Sequence, residues 1–191
     1  MSGEVSEHWA FSWLIDAPDL NSLYQKANGT LESRGSLIGP RNMPTVKMII
    51  NSSDIIYQEQ FAKNLQVLLD WDPSDKNESR LDIHASHLKT NNYQIHQLDL
   101  QGRGRASDHI VDLWLDAEHA KLFGHINGAY EQEDWRGKLS NIHLNLPITG
   151  DWSAEFSPEI HASAQRVTIP SWCLNQDESS ICIDGKWENG I

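Results

Sequence analysis

From Leu81 to Ile148 apolar and polar residues alternate with a period of two, and no helical spacing interrupts them. Leu81, Ile83 and Ala85 share one side, while Asp82, His84 and Ser86 share the other. The beat returns at Leu98, Leu100 and Gly102, then at Val111, Leu113, Leu115 and Ala117. It continues through Leu122, Gly124, Ile126 and Gly128, and again through Ile142, Leu144 and Leu146. Strand side chains repeat every two residues, so this pattern predicts a sheet with one apolar and one polar face. An apolar face that long has to be covered, and what covers it decides the function.

The remaining sequence extends the same architecture. Phe11, Trp13 and Ile15 alternate up to Pro18, after which residues 19–26 predict a short helical turn with Asp19 as its N-cap. Leu31, Ser33, Gly35 and Leu37 share a face, and Pro40 and Pro44 bound a loop. Val46, Met48 and Ile50 open the next strand, and Leu65, Val67, Leu69 and Trp71 form another. The segment between them has helical spacing at Ile55, Gln58, Ala62 and Leu65, but two strands meeting around Gln58–Gln60 keep the neighbours' rhythm. Local irregularity is expected over 40–78, with DPSDKNES as a polar turn. The whole chain, 1–191, then reads as one all-β antiparallel meander of about ten to twelve strands. Gly35, Gly102, Gly124, Gly128 and Gly137 mark bends or close approaches that would let the sheet curl into an open U with an apolar concave face.

Composition narrows the class. Only 39% of the 191 residues are hydrophobic, which suits strands buried on one face. The net charge of -12, from 27 acidic against 15 basic residues, argues against nucleic acid, whose phosphates need a basic footprint. No apolar run reaches the roughly 18–20 residues of a spanning helix. The opening MSGEVSEHWAFSWLI lacks a signal-peptide pattern, so any export signal would lie outside the sequence.

Candidate chemistry is sparse. His84 and His87 are three apart and on a strand face opposite ways, so they make a poor metal pair. His84, His96, His109, His125 and His143 read as solvent-facing residues of the polar side, and Glu131 with Asp134 as solvated turn charge. No nucleophile elbow, phosphate loop, dinucleotide fingerprint or zinc-protease motif occurs, and no catalytic residue, metal or cofactor is expected. Eight tryptophans are many for this length. Trp13, Trp71, Trp114, Trp135, Trp152, Trp172 and Trp187 recur near strand starts and ends, either as a sugar platform or as covers for sheet edges and corners. Trp114 falls opposite the apolar face and is expected on the outer surface. Cys173 and Cys182 flank a short polar stretch, and a hairpin there would bring them together. They form either a disulfide, worth roughly 2.7 kcal/mol for so small a ring, or a pair of reduced thiols in a cytosolic protein.

A family resemblance enters on a series of phrases. They are FSWLIDAPDLNSL at 11–23, GTLESRGSLIGP at 29–40, LDIHASHL at 81–88 and LDLQGRGRASDHIVDLWL at 98–115. Then come LFGHINGAY at 122–130, WRGKLSNIHL at 135–144, GDW at 150–152 and WCLNQDESSICIDGKWENG at 172–190. In order and spacing they resemble the middle region of the TamB family, the inner-membrane-anchored subunit of the translocation and assembly module, within the AsmA-like group of bacterial envelope proteins. Residues 43–77 match least. The likeness implies an internal segment, without the family's N-terminal membrane anchor and C-terminal domain. It also implies a taco-like trough, a periplasmic location, an oxidised cysteine hairpin at Cys173 and Cys182, and a TamA-like outer-membrane partner contacted through regions absent here.

Two functional expectations follow. In the first, phospholipid acyl chains cover the apolar face, and the segment carries lipid between the two membranes without catalysis. The trough would then be lined by Leu81, Ile83, Leu98, Leu100, Val111, Leu113, Leu115, Leu122, Ile126, Ile142, Leu144 and Leu146. A sixteen-carbon tail exposed to water faces a barrier on the order of 12 kcal/mol, which such a surface would largely remove. In the second, the apolar residues form the dry core of a closed β-sandwich, and Trp135 and Trp152 stack on glycan. A purely structural spacer is a third possibility.

Overall fold

The computed structural model describes residues 8–90 and 92–189. The first seven residues, read above for a signal peptide, and Gly190 of the last family phrase lie outside the described residues. Thirteen strands form a single antiparallel sheet. They are β1 (His8–Ala17), β2 (Ala27–Pro40), β3 (Thr45–Tyr57), β4 (Gln60–Trp71), β5 (Ser79–Lys89), β6 (Gln94–Arg105) and β7 (Asp108–Ala117). They continue as β8 (Ala120–Glu131), β9 (Asp134–Leu146), β10 (Gly150–Ala154), β11 (Glu159–Ser163), β12 (Arg166–Gln176) and β13 (Ser179–Glu188).

Each strand pairs with its neighbours in sequence, so the sheet is the expected meander. The apparent exception is β10 and β11, both of which pair with β9 and β12. Residues 150–153 pair with 143–146 of β9 and residues 159–163 with 134–138, so the two are collinear halves of one strand. The break contains Pro158, which has no N–H to give to a ladder. Counting the halves together brings the strand total to the upper end of the sequence expectation.

The segment that could have been helical is the β3–β4 hairpin, turning at Gln58 with φ 56°. Its strands are long, and the irregularities within 40–78 reduce to positive φ at Asp54, Gln58 and Asp75 and a register shift of β2 against β3. The β8–β9 hairpin turns through Gln132 and Glu133, both at positive φ, the geometry whose twist matches its flanking strands. The helical turn before β2 is one turn of 3-10 helix, Leu20–Ser22, with the Asp19 carboxylate accepting from the Asn21 N–H at 3.0 Å.

Residues directly opposed in an antiparallel ladder share a face, so the registers trace rows across the sheet. One row runs Trp13, Gly35, Met48, Leu69, Leu81, Gly102, Val111, Ile126 and Leu139 from β1 to β9. A parallel row runs Leu31, Ser52, Leu65, Ala85, Leu98, Leu115, Leu122 and Leu144. The opposite face carries a polar row with Asn51, Gln66, His84 and Asp99, interrupted by Trp114 and Phe123, whose rings meet at 6.3 Å. Trp114 is thus on the outer face, as the alternation predicts.

Very little of this sheet is dry. The buried hydrophobic residues among those described are Ala17, Ala85, Ile142, Trp152, Trp172 and Leu174. Four of them, Ile142, Trp152, Trp172 and Leu174, make one cluster over β9, β10 and β12. The accessible surface is 13472 Å², against about 9,200 Å² for a compact monomer of this mass. A sandwich that covered its own apolar face would fall near the smaller figure.

Candidate functional site: an apolar sheet face

All twelve residues expected to line a trough fall on one face of the sheet by register. They do not form one environment. Ile142 is part of the buried cluster around Trp152 and Trp172, and Leu122, Leu144 and Leu146, themselves half-buried, pack against it. Leu81, Ile83, Leu98, Leu100, Val111, Leu113, Leu115 and Ile126 are only half-buried, each flanked by apolar residues of the adjoining strands. Their neighbours Ile50, Val67 and Leu69 on β3 and β4 carry the same face further. The alternation at 46–50 and 65–71 was the signal for these residues.

The face is not uniform. Near the β4–β5, β6–β7 and β8–β9 turns it holds a cavity of 560 Å³, with Leu69, Trp71, Leu81, Val111, Tyr130 and Trp135 in its wall. Trp135 lies flat on the sheet over two glycines: a Cβ at Gly128 would sit 2.7 Å from its ring, and one at Gly137 would also collide with it. Its indole N–H donates to His109 Nε2 at 2.8 Å. That bond fixes the His109 proton on Nδ1, which faces the Arg105 and Ala106 carbonyls at 3.2 Å each. Trp13 covers Gly35 in the same manner and donates to Ser33 Oγ at 3.0 Å. His109 therefore corrects the sequence reading. It pairs with Gly128 and stands two residues from Val111, so it belongs to the apolar face.

The tryptophans divide by role. Trp152 is 6% exposed and donates to Thr149 Oγ1 at 2.9 Å, so its faces are unavailable to a sugar. Trp172 is buried beside it. A glycan platform built from Trp135 and Trp152 is therefore not present, since one is core and the other lies against glycines.

The outer face is held by pairs across adjacent strands. His84 Nδ1 donates to Asp99 Oδ1 at 2.5 Å and His125 Nδ1 to Asp112 Oδ1 at 2.6 Å. Lys121 and His96 both reach Asp116, at 3.2 and 3.4 Å. The Lys121 hydrogen bond is the main reason the Asp116 carboxyl titrates below its ordinary value. Partial burial would raise Asp99, but hydrogen bonds from His84 and Gln97 outweigh it and hold that carboxyl low. These are solvated pairs on a wet surface. No group of three or more potential metal ligands occurs among the described residues. Cys173 and Cys182 are opposed in register with their sulfurs 2.00 Å apart.

Comparison with known proteins adds the following. The family model described as TamB, N-terminal domain, matches residues 1–190. The sequence resemblance pointed to the same family but to its middle region. The translocation and assembly module subunit TamB of Haemophilus influenzae is 23% identical over 193 residues, covering 99% of this chain. The chain spans 15% of that relative's length. No solved structure matches.

Proposed function

Because this chain belongs to the family defined by the TamB N-terminal domain, we propose that it is one stretch of a non-enzymatic lipid conduit across the bacterial periplasm. The relative in Haemophilus influenzae is by name a subunit of the translocation and assembly module. We extend that role here, with a TamA-like outer-membrane partner contacted through other regions of the full protein and an anchor in the inner membrane. None of the described residues forms a helix long and apolar enough to cross a membrane.

One observation carries the proposal: a continuous apolar face, nine strands wide, that the protein leaves half-covered. Nine strands span about 40 Å at the ordinary strand spacing. Each acyl methylene transferred from water to such a surface gains up to about 0.8 kcal/mol, while the headgroup stays in solvent at the rim. The cavity supports curvature of the sheet. Leu69 on β4 and Trp135 on β9 share its wall, although five strand spacings, about 24 Å on a flat sheet, lie between them. An oxidised Cys173–Cys182 pair fits the periplasm, where disulfides persist.

Native mass spectrometry of the purified chain, with organic extraction of what co-purifies, tests the reading. Bound phospholipid is expected, and Leu113→Asp should remove it while circular dichroism stays that of the parent. A lipid-free, monomeric chain with unchanged stability in lipid would refute it.

A further inference from the structure

The outer face changes character along the sheet. From β5 onward it carries the cross-strand pairs of His84 with Asp99, His125 with Asp112 and Lys121 with Asp116. On β1–β4 it carries instead a row of Leu14, Arg34, Ile49 and Leu68, each directly opposed to the next. Ile38 stands further along β2, on the same face beyond Ser36. Leu14 is 80% exposed and Ile38 57%. Because β2 is paired on both sides, the outward exposure of Ile38 does not depend on what adjoins β1. On the other side of the row Asp16 and Glu32 are directly opposed, a like-charge pairing that a sheet normally avoids. The exposed side chains of Arg34, Asp16 and Glu32 have no ion pair or hydrogen bond among the described residues. Lys47 and Asp70, between Ile38 and the row, neutralise each other at 2.9 Å. Net charge follows the same division. Residues 8–57 contain four Lys and Arg against four Asp and Glu, whereas 58–189 contain eleven against twenty-one.

We propose that this stretch of the outer face rests on the surface of a bilayer of zwitterionic phospholipid, with Leu14 and Ile38 entering among the headgroups. The lipid phosphate then meets Arg34, and the ammonium meets Asp16 and Glu32. Guanidinium presents paired donors that match phosphate oxygens, and a cation beside the opposed carboxylates relieves their repulsion. The two poles of one headgroup thus answer the two unpaired signs on the patch. Apolar side chains that reach the headgroup layer add affinity in proportion to the area they bury. An anionic surface would repel the Asp16–Glu32 pair and the acidic remainder of the sheet alike. The inference goes beyond the conduit reading, which uses only the opposite face.

Flotation of the purified chain with vesicles tests this at physiological ionic strength, where charges more than about 8 Å apart are largely screened. One set of vesicles is phosphatidylcholine and phosphatidylethanolamine in equal parts; the other has phosphatidylglycerol in place of the ethanolamine lipid. The chain should float with the first set and bind it several-fold more tightly than the second. Leu14→Thr with Ile38→Thr should weaken binding to the first set about tenfold, and threonine keeps strand propensity at both exposed sites. Where that pair lowers the urea midpoint, Leu14→Thr alone should still weaken binding several-fold. Arg34→Gln should weaken it and Arg34→Lys restore it. Asp16→Asn with Glu32→Gln should remove most of the preference between the sets. A parent chain that does not float overturns the proposal, as does flotation unchanged by Leu14→Thr with Ile38→Thr. Self-association that those threonines abolish, without flotation, gives the patch to a second copy and also overturns it. Equal binding to both sets, or tighter binding to the glycerol lipid, overturns the headgroup assignment. In each of these cases phospholipid that still co-purifies leaves the conduit standing; a chain that floats through this patch yet carries no lipid removes the conduit alone.

Discussion

Gly124 offers a direct test of whether the apolar face is open. It sits opposite Leu113 in the β7–β8 ladder, in the middle of that face. A Cβ built on it meets no atom within 4 Å, and its φ is one that any residue adopts. Replacing it with isoleucine should therefore stabilise the protein. Relief of the glycine's backbone entropy contributes about 0.5–1 kcal/mol, and a β-branched residue suits a strand. A gain of about 1 kcal/mol raises the melting temperature by about 2–4 °C in a chain of this size. If the same face were the interior of a sandwich, the added side chain would overpack it at a cost of about 1–3 kcal/mol, and the sign would reverse. Gly35→Ile is the control, because there the new side chain runs into the Trp13 ring and into the Lys47 carbonyl oxygen, 2.5 Å from the Cβ. Thermal unfolding followed by far-ultraviolet circular dichroism separates the outcomes. A rise for Gly124→Ile with a fall for Gly35→Ile supports an open face; a comparable fall for both refutes it.

Other expectations concern the packed end, the hairpin and the outer face. Leu144→Asp sets a carboxylate against the cluster of Trp152 and Trp172 and should destabilise by about 3 kcal/mol, whereas Leu113→Asp on the open face should leave the urea midpoint nearly unchanged. Replacing Cys173 and Cys182 together with serine should cost roughly 2.7 kcal/mol if the ring is closed in the native protein; an unchanged midpoint in non-reducing buffer would argue for free thiols. Asp72, Asp99 and Asp116 are held below their ordinary value of 3.8 and Glu188 below 4.5, Asp72 mainly by Ser74 and Glu188 by Lys186. A carboxyl lowered on folding stabilises above its unfolded value, and this contribution disappears as pH falls through the folded one. The contribution of these groups should therefore hold from neutral pH down to about 5 and fall away below about 4, as urea midpoints at several pH values would show. Asp99→Asn should flatten that acid limb.

The sheet was legible because period-two alternation is a local property. Leu98, Leu100 and Gly102 had only to face one way for β6 to be read, and the β3–β4 hairpin followed from the rhythm on either side of Gln58. Burial is not local. Leu113 and Leu144 have the same pattern around them and both are half-buried, yet Leu144 packs against a cluster whose tryptophans arrive from β10 and β12. Nothing near Leu144 announces Trp172. His109 shows the reverse error, in which side-chain polarity was allowed to override position. Its parity with Val111 already placed it on the apolar face, and the Trp135 indole supplies the polar partner that makes this tolerable. The split of one strand into β10 and β11 was marked by Pro158, but collinearity appears only in the pairings with β9 and β12.

A conduit interrupted by a cavity limits how tightly that cavity can hold a chain. On the open rows an acyl chain keeps one side in water, so moving along them changes its free energy little. In the cavity each methylene that becomes fully covered gains up to about 0.8 kcal/mol, and 1.4 kcal/mol of extra binding lengthens residence about tenfold. Two additional covered methylenes would therefore slow passage by about an order of magnitude, and a wholly enclosed chain would stop it. The architecture around Gly128 and Gly137 bears on that limit. Because both glycines lack side chains, Trp135 lies flat against the sheet, leaving the cavity a wall without a lid. An added methyl at Gly128 would force the ring off the sheet and over the opening. Gly128→Ala should thus tighten retention of a lysophospholipid with a brominated acyl chain, read by quenching of the Trp71 and Trp135 fluorescence, and slow its exchange by several-fold. Faster exchange would mean that the flat indole, rather than the apolar wall beneath the chain, holds the lipid in place.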